Sequence, residues 1–432
     1  MHPNLSFEQA PPIAVPFRFF LTAPLFGVLA GGLLAVLGED MLASRWTPGA
    51  LAATHLLVAG FMLQTMCGAL LQFIPVAAGG NIWRPRWVAG FVHPLSLAAA
   101  LLLAAAFLTQ HPPLFILAAL AFALSLGGFI VVVGHALWRT AALGATLGAL
   151  RMALAGLAIT LALGVTLALG LAGAVPVPLP LLSLTDLHAA WGLGGWALLL
   201  LVGVSFFVVP MFQLTPAYPG WFARGLPRAL GAVLLCWTLQ SAGFLAGLSG
   251  LTLLAGWLLA ASYALVTLRL QARRRRKVAD TTLWFFRLAM VSLLAGGAGA
   301  LAAWLEPGAG GAFEPRLPVW QGLLVIAGGF VSAMAGMLYK IMPFLSWLHL
   351  QRLGGLHTPP PLMNQMLPDK WARGHLHAHL AGLLLLLLSV WLPVLARAAG
   401  LVFAFACAWL AFNLAVVTRN YLVFKDRIRA TA

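Results

Sequence analysis

Two histidines, His55 and His188, stand near the outer ends of long apolar runs, 20 and 22 residues ahead of Pro75 and Pro210. Neutral imidazole is the commonest protein ligand for haem iron and for several transition metals. An ionisable group at the edge of an apolar bilayer core is costly and is a functional candidate by default. At 1.5 Å per helical residue the two spacings differ by about 3 Å in depth. Both histidines are therefore candidate cofactor ligands, and His188 is also a candidate metal ligand. The alternative for each is an interfacial histidine bonded to a headgroup or a carbonyl. Asp186 stands close enough to His188 in sequence to orient it as a supporting carboxylate, or it is an ordinary loop acid.

Two further groups carry ligand chemistry. Met62 and Met66 follow His55 by seven and eleven residues, near one helix face, with Cys67 beside them. Thioether and thiolate sulfur select Cu(I), and methionine is equally a filler of apolar cores. His375, His377 and His379 open a later apolar run. His375 and His379 are four apart and share a helix face, a spacing that can chelate one metal ion. His349 and His357 precede them as further candidate ligands. The alternative is a polar helix start among lipid headgroups. His93 and His135 read as snorkelling side chains. Lys340, three residues before Pro343, reaches the nearby surface or lines a polar path.

The elements that must hold these residues are membrane helices. Of 432 residues, 62% are hydrophobic and 8% charged, against roughly a quarter charged in a soluble domain. That leaves too few charges to coat a water-soluble surface. Apolar runs of about 20 residues match the helix length that spans a bilayer core. Their backbone amides must pair within the segment, and none alternates as a barrel strand does. The expected fold class is all-α, a polytopic membrane protein of about twelve transmembrane helices. They are expected near 17–37, 50–78, 88–109, 113–138, 150–175, 185–212, 228–249, 250–271, 282–305, 318–348, 373–396 and 398–424.

The net charge of +16 sits in short connections. Arg84 and Arg86, Arg139 and Arg151, Arg224 and Arg228, Arg273 to Lys277, Arg352 with Lys370 and Arg373, and Lys425, Arg427 and Arg429 mark every second one. The others hold Glu39, Asp40, Asp186, Glu306 and Glu314. This alternation implies an even helix count with both termini in the cytoplasm. It calls for no nucleic acid, and the run from Arg273 to Lys277 suits anionic lipid headgroups. Cys67, Cys236 and Cys407 all fall in apolar runs, so a disulfide framework is not expected. Residues 1–16 are expected to be a cytoplasmic segment, without the basic start of a signal peptide. Residues 17–424 form a single membrane domain on this reading, and 425–432 a basic tail.

One frame recurs in the second, sixth and tenth of these helices. Gly60, Gly68 and Pro75, then Gly195, Gly203 and Pro210, then Gly328, Gly336 and Pro343 each spell Gly-x7-Gly-x6-Pro. The prolines lie 135 and 133 residues apart, one four-helix unit each, with units near 17–138, 150–271 and 282–424. Such repeats mark related units about a pseudo-symmetry axis. Glycines eight apart lie roughly on one stripe, where a neighbouring helix or a flat ligand can come close. The alternative is a chance match in a chain with 45 glycines.

Three units of four helices resemble the catalytic subunit of the haem–copper oxidases. The stretch His55-Leu-Leu-Val-Ala-Gly60-Phe61, leading to Gly68-Ala-Leu-Leu-Gln-Phe-Ile-Pro75, resembles the second helix of cbb-type members. That resemblance implies a haem-ligand position for His55. His188, in Asp186-Leu-His-Ala-Ala-Trp-Gly192, resembles the copper-binding histidine of the sixth helix, offset by two residues relative to the proline. Gly336-Met-Leu-Tyr-Lys-Ile-Met-Pro343 resembles the end of the tenth. The chain departs from the family where that tenth helix should open with two haem histidines, since Val319-Trp-Gln-Gly-Leu-Leu stands there. A helix-seven pair of copper histidines has no counterpart between Leu226 and Ser249, where Cys236 and Gln240 are the nearest substitutes. Oxygen reduction and oxidase-type pumping are therefore not expected.

In size and helix count the chain is also similar to the NnrS family, membrane proteins associated with haem, copper and nitric-oxide stress. The resemblances imply a redox protein of a bacterial-type inner membrane that binds haem and, at a second site, copper. An oxidoreductase other than a terminal oxidase is compatible with this, as is a homo-oligomer. With no Cys-x-x-Cys-His in the chain, a quinol or a separate electron-donor protein is the expected partner. The other reading is a cofactor-free transporter, or an assembly subunit of a respiratory complex, on the same helical frame.

Overall fold

A computed structural model describes residues 10–140, 144–275, 278–305, 315–354 and 361–431. Glu306, Glu314, Arg276, Lys277 and His357 lie outside the described residues. The described chain is helical, with no strand in it. We label the long helices α1 (Ala14–Leu37), α2 (Pro48–Ala77), α3 (Pro85–Thr109), α4 (Pro112–Arg139), α5 (Ala145–Leu171) and α6 (Leu181–Gln213). They continue as α7 (Gly220–Ser241), α8 (Ser249–Ala272), α9 (Thr281–Leu305), α10 (Leu317–Gly354), α11 (Asp369–Ser389) and α12 (Ala396–Thr431). Among the described residues ten helices are long and apolar enough to cross a membrane, and α7 and α11 are not among the ten. Arg224 and Arg228 dilute the apolar stretch of α7; Asp369, Lys370, Arg373 and three histidines do the same in α11.

Two boundaries differ from expectation for a clear reason. α7 begins at Gly220 rather than near 228, because its first turns carry Arg224 and Arg228 and look like loop by hydropathy alone. It ends at Ser241, just before Gly243 takes a φ of 90° that favours glycine. α12 runs to Thr431, so most of the expected basic tail continues the helix. Arginines also close helix ends. Arg151 donates to the Leu137 carbonyl near the C-terminus of α4 at 2.8 Å, and Arg397 to the Val36 carbonyl of α1 at 2.7 Å.

The chain divides into two compact units, with boundaries inside α2 and α9. Unit 1 comprises Met1–Pro11, Ala69–Lys277 and Met290–Glu314. Unit 2 comprises Pro12–Gly68, Val278–Ala289 and Pro315–Ala432. In unit 1, α3 packs on α4, α4 on α5, and α5 on α6. In unit 2, α1 and α11 both pack along α12, and α10 packs on α12 as well.

The glycine–proline frame has a structural counterpart that composition does not reveal. α2, α6 and α10 each turn π-helical in their middle, over Leu56–Met62, Trp191–Leu198 and Leu324–Val331. Leu56, Trp191 and Leu324 all stand 19 residues before the motif proline. A π stretch uses i→i+5 hydrogen bonds, is rare, and is often found at functional sites. The second glycine of each frame is filled from the helix before it. A Cβ on Gly68 would stand 2.8 Å from Phe19 Cβ of α1. On Gly203 it would stand 2.8 Å from Ala149 Cβ of α5, and on Gly336 2.6 Å from Phe285 Cβ of α9. The stripe thus holds a neighbouring helix in all three places.

Candidate functional site

The most developed polar site lies inside unit 2, where α10, α11 and α12 meet. α10 places Ser332 and Tyr339 two turns apart on one face, α11 places His375 and His379 one turn apart, and α12 contributes Asn413. All five side chains are buried. Tyr339 Oη lies 2.9 Å from His375 Nδ1, and Asn413 Nδ2 donates to Tyr339 Oη at 2.8 Å. Ser332 Oγ lies 2.7 Å from His379 Nε2. Phe285 of α9 stacks on His375, with ring centroids 5.1 Å apart, and the two imidazole centroids are 5.9 Å apart.

The partners fix the proton positions. Asn413 Nδ2 also faces the Trp371 carbonyl at 3.4 Å, an acceptor that holds the amide with its nitrogen on this side. Tyr339 Oη accepts from that nitrogen, so its own hydrogen goes to His375 Nδ1. Neutral His375 then carries its proton on Nε2. The Ser332 hydroxyl also reaches the Ala327 carbonyl, five residues back in the π stretch, at 3.2 Å. With its hydrogen there, Ser332 accepts from His379 Nε2–H. Buried polar groups of this kind are stabilising only when paired, since each one stranded costs about 1–3 kcal/mol.

The expected ligands are distributed as follows. His55, half-buried in unit 2, has Nδ1 2.8 Å from the Leu51 carbonyl. A carbonyl only accepts, so Nδ1 carries the hydrogen and Nε2 the lone pair. His188, half-buried in unit 1, has Nδ1 3.1 Å from the Thr160 carbonyl of α5 and takes the same tautomer. Its ring fills the space over Gly164, where a Cβ would stand 2.9 Å from His188 Cε1. One turn on, Trp191 packs with Leu187 and Leu234 and donates to Thr238 at 2.9 Å. Asp186 is partly exposed, and His188 Nδ1 bonds the Thr160 carbonyl.

Met62, Met66 and Cys67 are buried in α2. The π stretch lies between His55 and Met62, so the seven-residue spacing no longer returns to one helix face as it does in an α-helix. All three cysteines are free, and Gln240 bonds Thr252 at 2.6 Å. His375 and His379 are buried, while His377 between them is exposed and His349 is half-buried against Tyr421, 2.9 Å from its hydroxyl. His93 is partly exposed and His135 exposed. Lys340 pairs with Asp280 at 2.7 Å, and Asp280 also accepts from the Leu283 amide at the start of α9. Among the described residues no three or more His, Cys, Asp or Glu side chains converge as a metal cage.

Ser332, Tyr339 and Asn413 were not singled out by sequence reasoning. The signal was present as polar residues seven apart in an apolar run of α10. No protein-family model matches this chain, and no curated protein matches it either.

Proposed function

We propose that the chain is a haem-binding redox protein of a bacterial-type inner membrane, built on the haem–copper oxidase frame. On this reading it has about twelve spans in three four-helix units, with both termini in the cytoplasm. The observation that carries the proposal is the state of His55. Its Nδ1–H is committed to the Leu51 carbonyl, which directs the lone pair to Nε2 and fixes the ring, as second-sphere partners of ligating histidines do. A haem held there supplies one-electron chemistry or gas binding at its iron. The chain's own part is to hold Nε2 in place and to keep water from the apolar run that follows. His188, in the same tautomer, is the proposed first ligand of copper. The electron source is a quinol or a donor protein.

The test is the visible spectrum of the detergent-purified protein, oxidised and dithionite-reduced. The expected result is a Soret band at about one haem per chain, lost in His55→Ala. A colourless preparation from haem-replete cells overturns the reading. Copper analysis of His188→Ala against the parent tests the second site.

One observation favours a second reading, a cofactor-free transporter. The second glycine of each frame is filled by a neighbouring helix, and Gly60 likewise by the Phe26 ring, so the stripe is not reserved for a flat ligand. A colourless protein that moves a solute in vesicles supports that alternative.

A further inference from the structure

The buried pairs of unit 2 continue toward the basic end of α10 and α12. Two turns beyond Tyr339 on α10 comes Ser346, and three residues further His349, whose Nδ1 lies 2.9 Å from Tyr421 Oη of α12. Arg352, Lys425 and Arg429 stand close enough to act electrostatically on His349. Ser332, Tyr339, Ser346 and His349 thus form one column along α10, about 25 Å long at 1.5 Å per residue. Three hydroxyls and an imidazole line it, and both side-chain types can donate one hydrogen bond while accepting another.

Two gaps interrupt the direct hydrogen bonds, and one of them contains atoms that need a partner. Between Tyr339 and His349 the described residues leave Ser346 Oγ and Asn413 Oδ1 buried without one. Both residues are fully buried. Buried polar atoms are almost always paired, and where protein offers nothing, ordered water fills the role. A file of waters running past Asn413 Oδ1 and Ser346 Oγ would close the gap from Tyr339 to His349. The second gap, from His375 to His379, is one helical turn with ring centroids 5.9 Å apart.

We propose that this column is a hydrated proton path from the basic end of unit 2 to Ser332 and His379, beside the π stretch of α10. A proton enters at His349 and Tyr421 and passes by water past Ser346 and Asn413. It crosses Tyr339 and His375 and reaches His379. Each transfer forms one O–H or N–H bond and breaks another, so no electron and no co-reactant is consumed. The path is independent of haem at His55.

The full-length protein, labelled with 15N-histidine and reconstituted in liposomes, is transferred to D2O and its imidazole N–H signals are followed by NMR. The His375 and His379 protons exchange readily in the parent. They exchange about tenfold or more slowly in Ser346→Val, which fills the gap with an apolar side chain. Ser346→Thr keeps the hydroxyl and retains the parent rate, which separates a blocked path from a damaged fold. His188, outside the column, exchanges alike in all three proteins. Two results overturn the proposal: His375 and His379 protons that resist exchange in the parent, or parent rates in Ser346→Val.

Discussion

Both units bury polar clusters, and the two clusters differ in kind. In unit 1, Ser205 bonds Tyr263 at 2.7 Å, Tyr218 bonds Thr267 at 2.8 Å, and Gln271 donates to Gln213 at 2.9 Å. These are neutral hydroxyls and amides. Tyr218 sits in the turn between α6 and α7, and burial pushes its phenol well above the usual range, so it stays a neutral hydroxyl. In unit 2 the corresponding cluster contains two imidazoles, each bonded to a hydroxyl of α10. A hydroxyl–amide cluster can fix how helices meet. A hydroxyl–imidazole cluster can do that and can also relay a proton, because each neutral ring carries one N–H and one bare nitrogen. The first cluster has groups suited to scaffolding alone, and the second adds groups suited to moving a proton.

The sharpest way to break that contrast is to remove one phenol from each cluster. Tyr339→Phe strands His375 Nδ1 and one of the two N–H groups of Asn413 and is expected to cost about 3 kcal/mol. Tyr263→Phe removes a hydroxyl shared by Ser205 and Thr267; Thr267 keeps the Tyr263 carbonyl and Ser205 can turn to its own helix backbone, so the expected cost is about 1 kcal/mol. Unfolding in mixed micelles reads both. Equal losses would mean that the two clusters are alike in kind.

The glycine frame gives the next largest effect, and here the units should agree. Gly203→Ala in unit 1 and Gly336→Ala in unit 2 each drive a Cβ into a neighbouring helix and are expected to cost about 2 kcal/mol. Gly127→Ala, with nothing within 4 Å of the new atom, should be close to neutral in the same assay. A mild Gly336→Ala beside a harmful Gly203→Ala would break the equivalence of the frames.

The smallest effect concerns the residue three before each motif proline, which is Gln72, Phe207 and Lys340 in turn. Lys340→Met removes the pair with Asp280, whose side chains are 26% and 19% exposed. Partial exposure and the remaining Leu283 amide bond to Asp280 limit the loss to about 1 kcal/mol. A double cycle with Asp280→Asn should show coupling of that size.

Much of the helical architecture was legible, because an apolar bilayer leaves helices few alternatives and the hydropathy runs are long. Ends were less so. α7 starts within a basic stretch that hydropathy assigns to a loop, and α12 continues through charges that hydropathy assigns to a tail. The spacing of His375 and His379 was legible, and so was their shared face. Their burial was not, because neighbouring Lys370, Arg373 and His377 make the segment look interfacial. Only tertiary contact with α10 and α12 turns that face inward. The partners Ser332 and Tyr339 of α10 and Asn413 of α12 lie far in sequence from the histidines of α11, and nothing local connects them. The π stretches escaped for a different reason, since no residue type selects i→i+5 over i→i+4 bonding.

Those π stretches have a mechanical consequence. Each accommodates roughly one residue more than an α-helix would need over the same course, and one residue is worth a rotation of about 100°. The half-helix that follows is therefore aimed by its π stretch as a gear is set by one tooth. In α10 that aim decides whether Ser332, Tyr339 and Ser346 face the histidines of α11 or turn toward another neighbour. A hydroxyl holds the setting, since Ser332 Oγ is bonded to the Ala327 carbonyl across the stretch. The orientation of the whole polar column is thus indexed at a single turn of backbone.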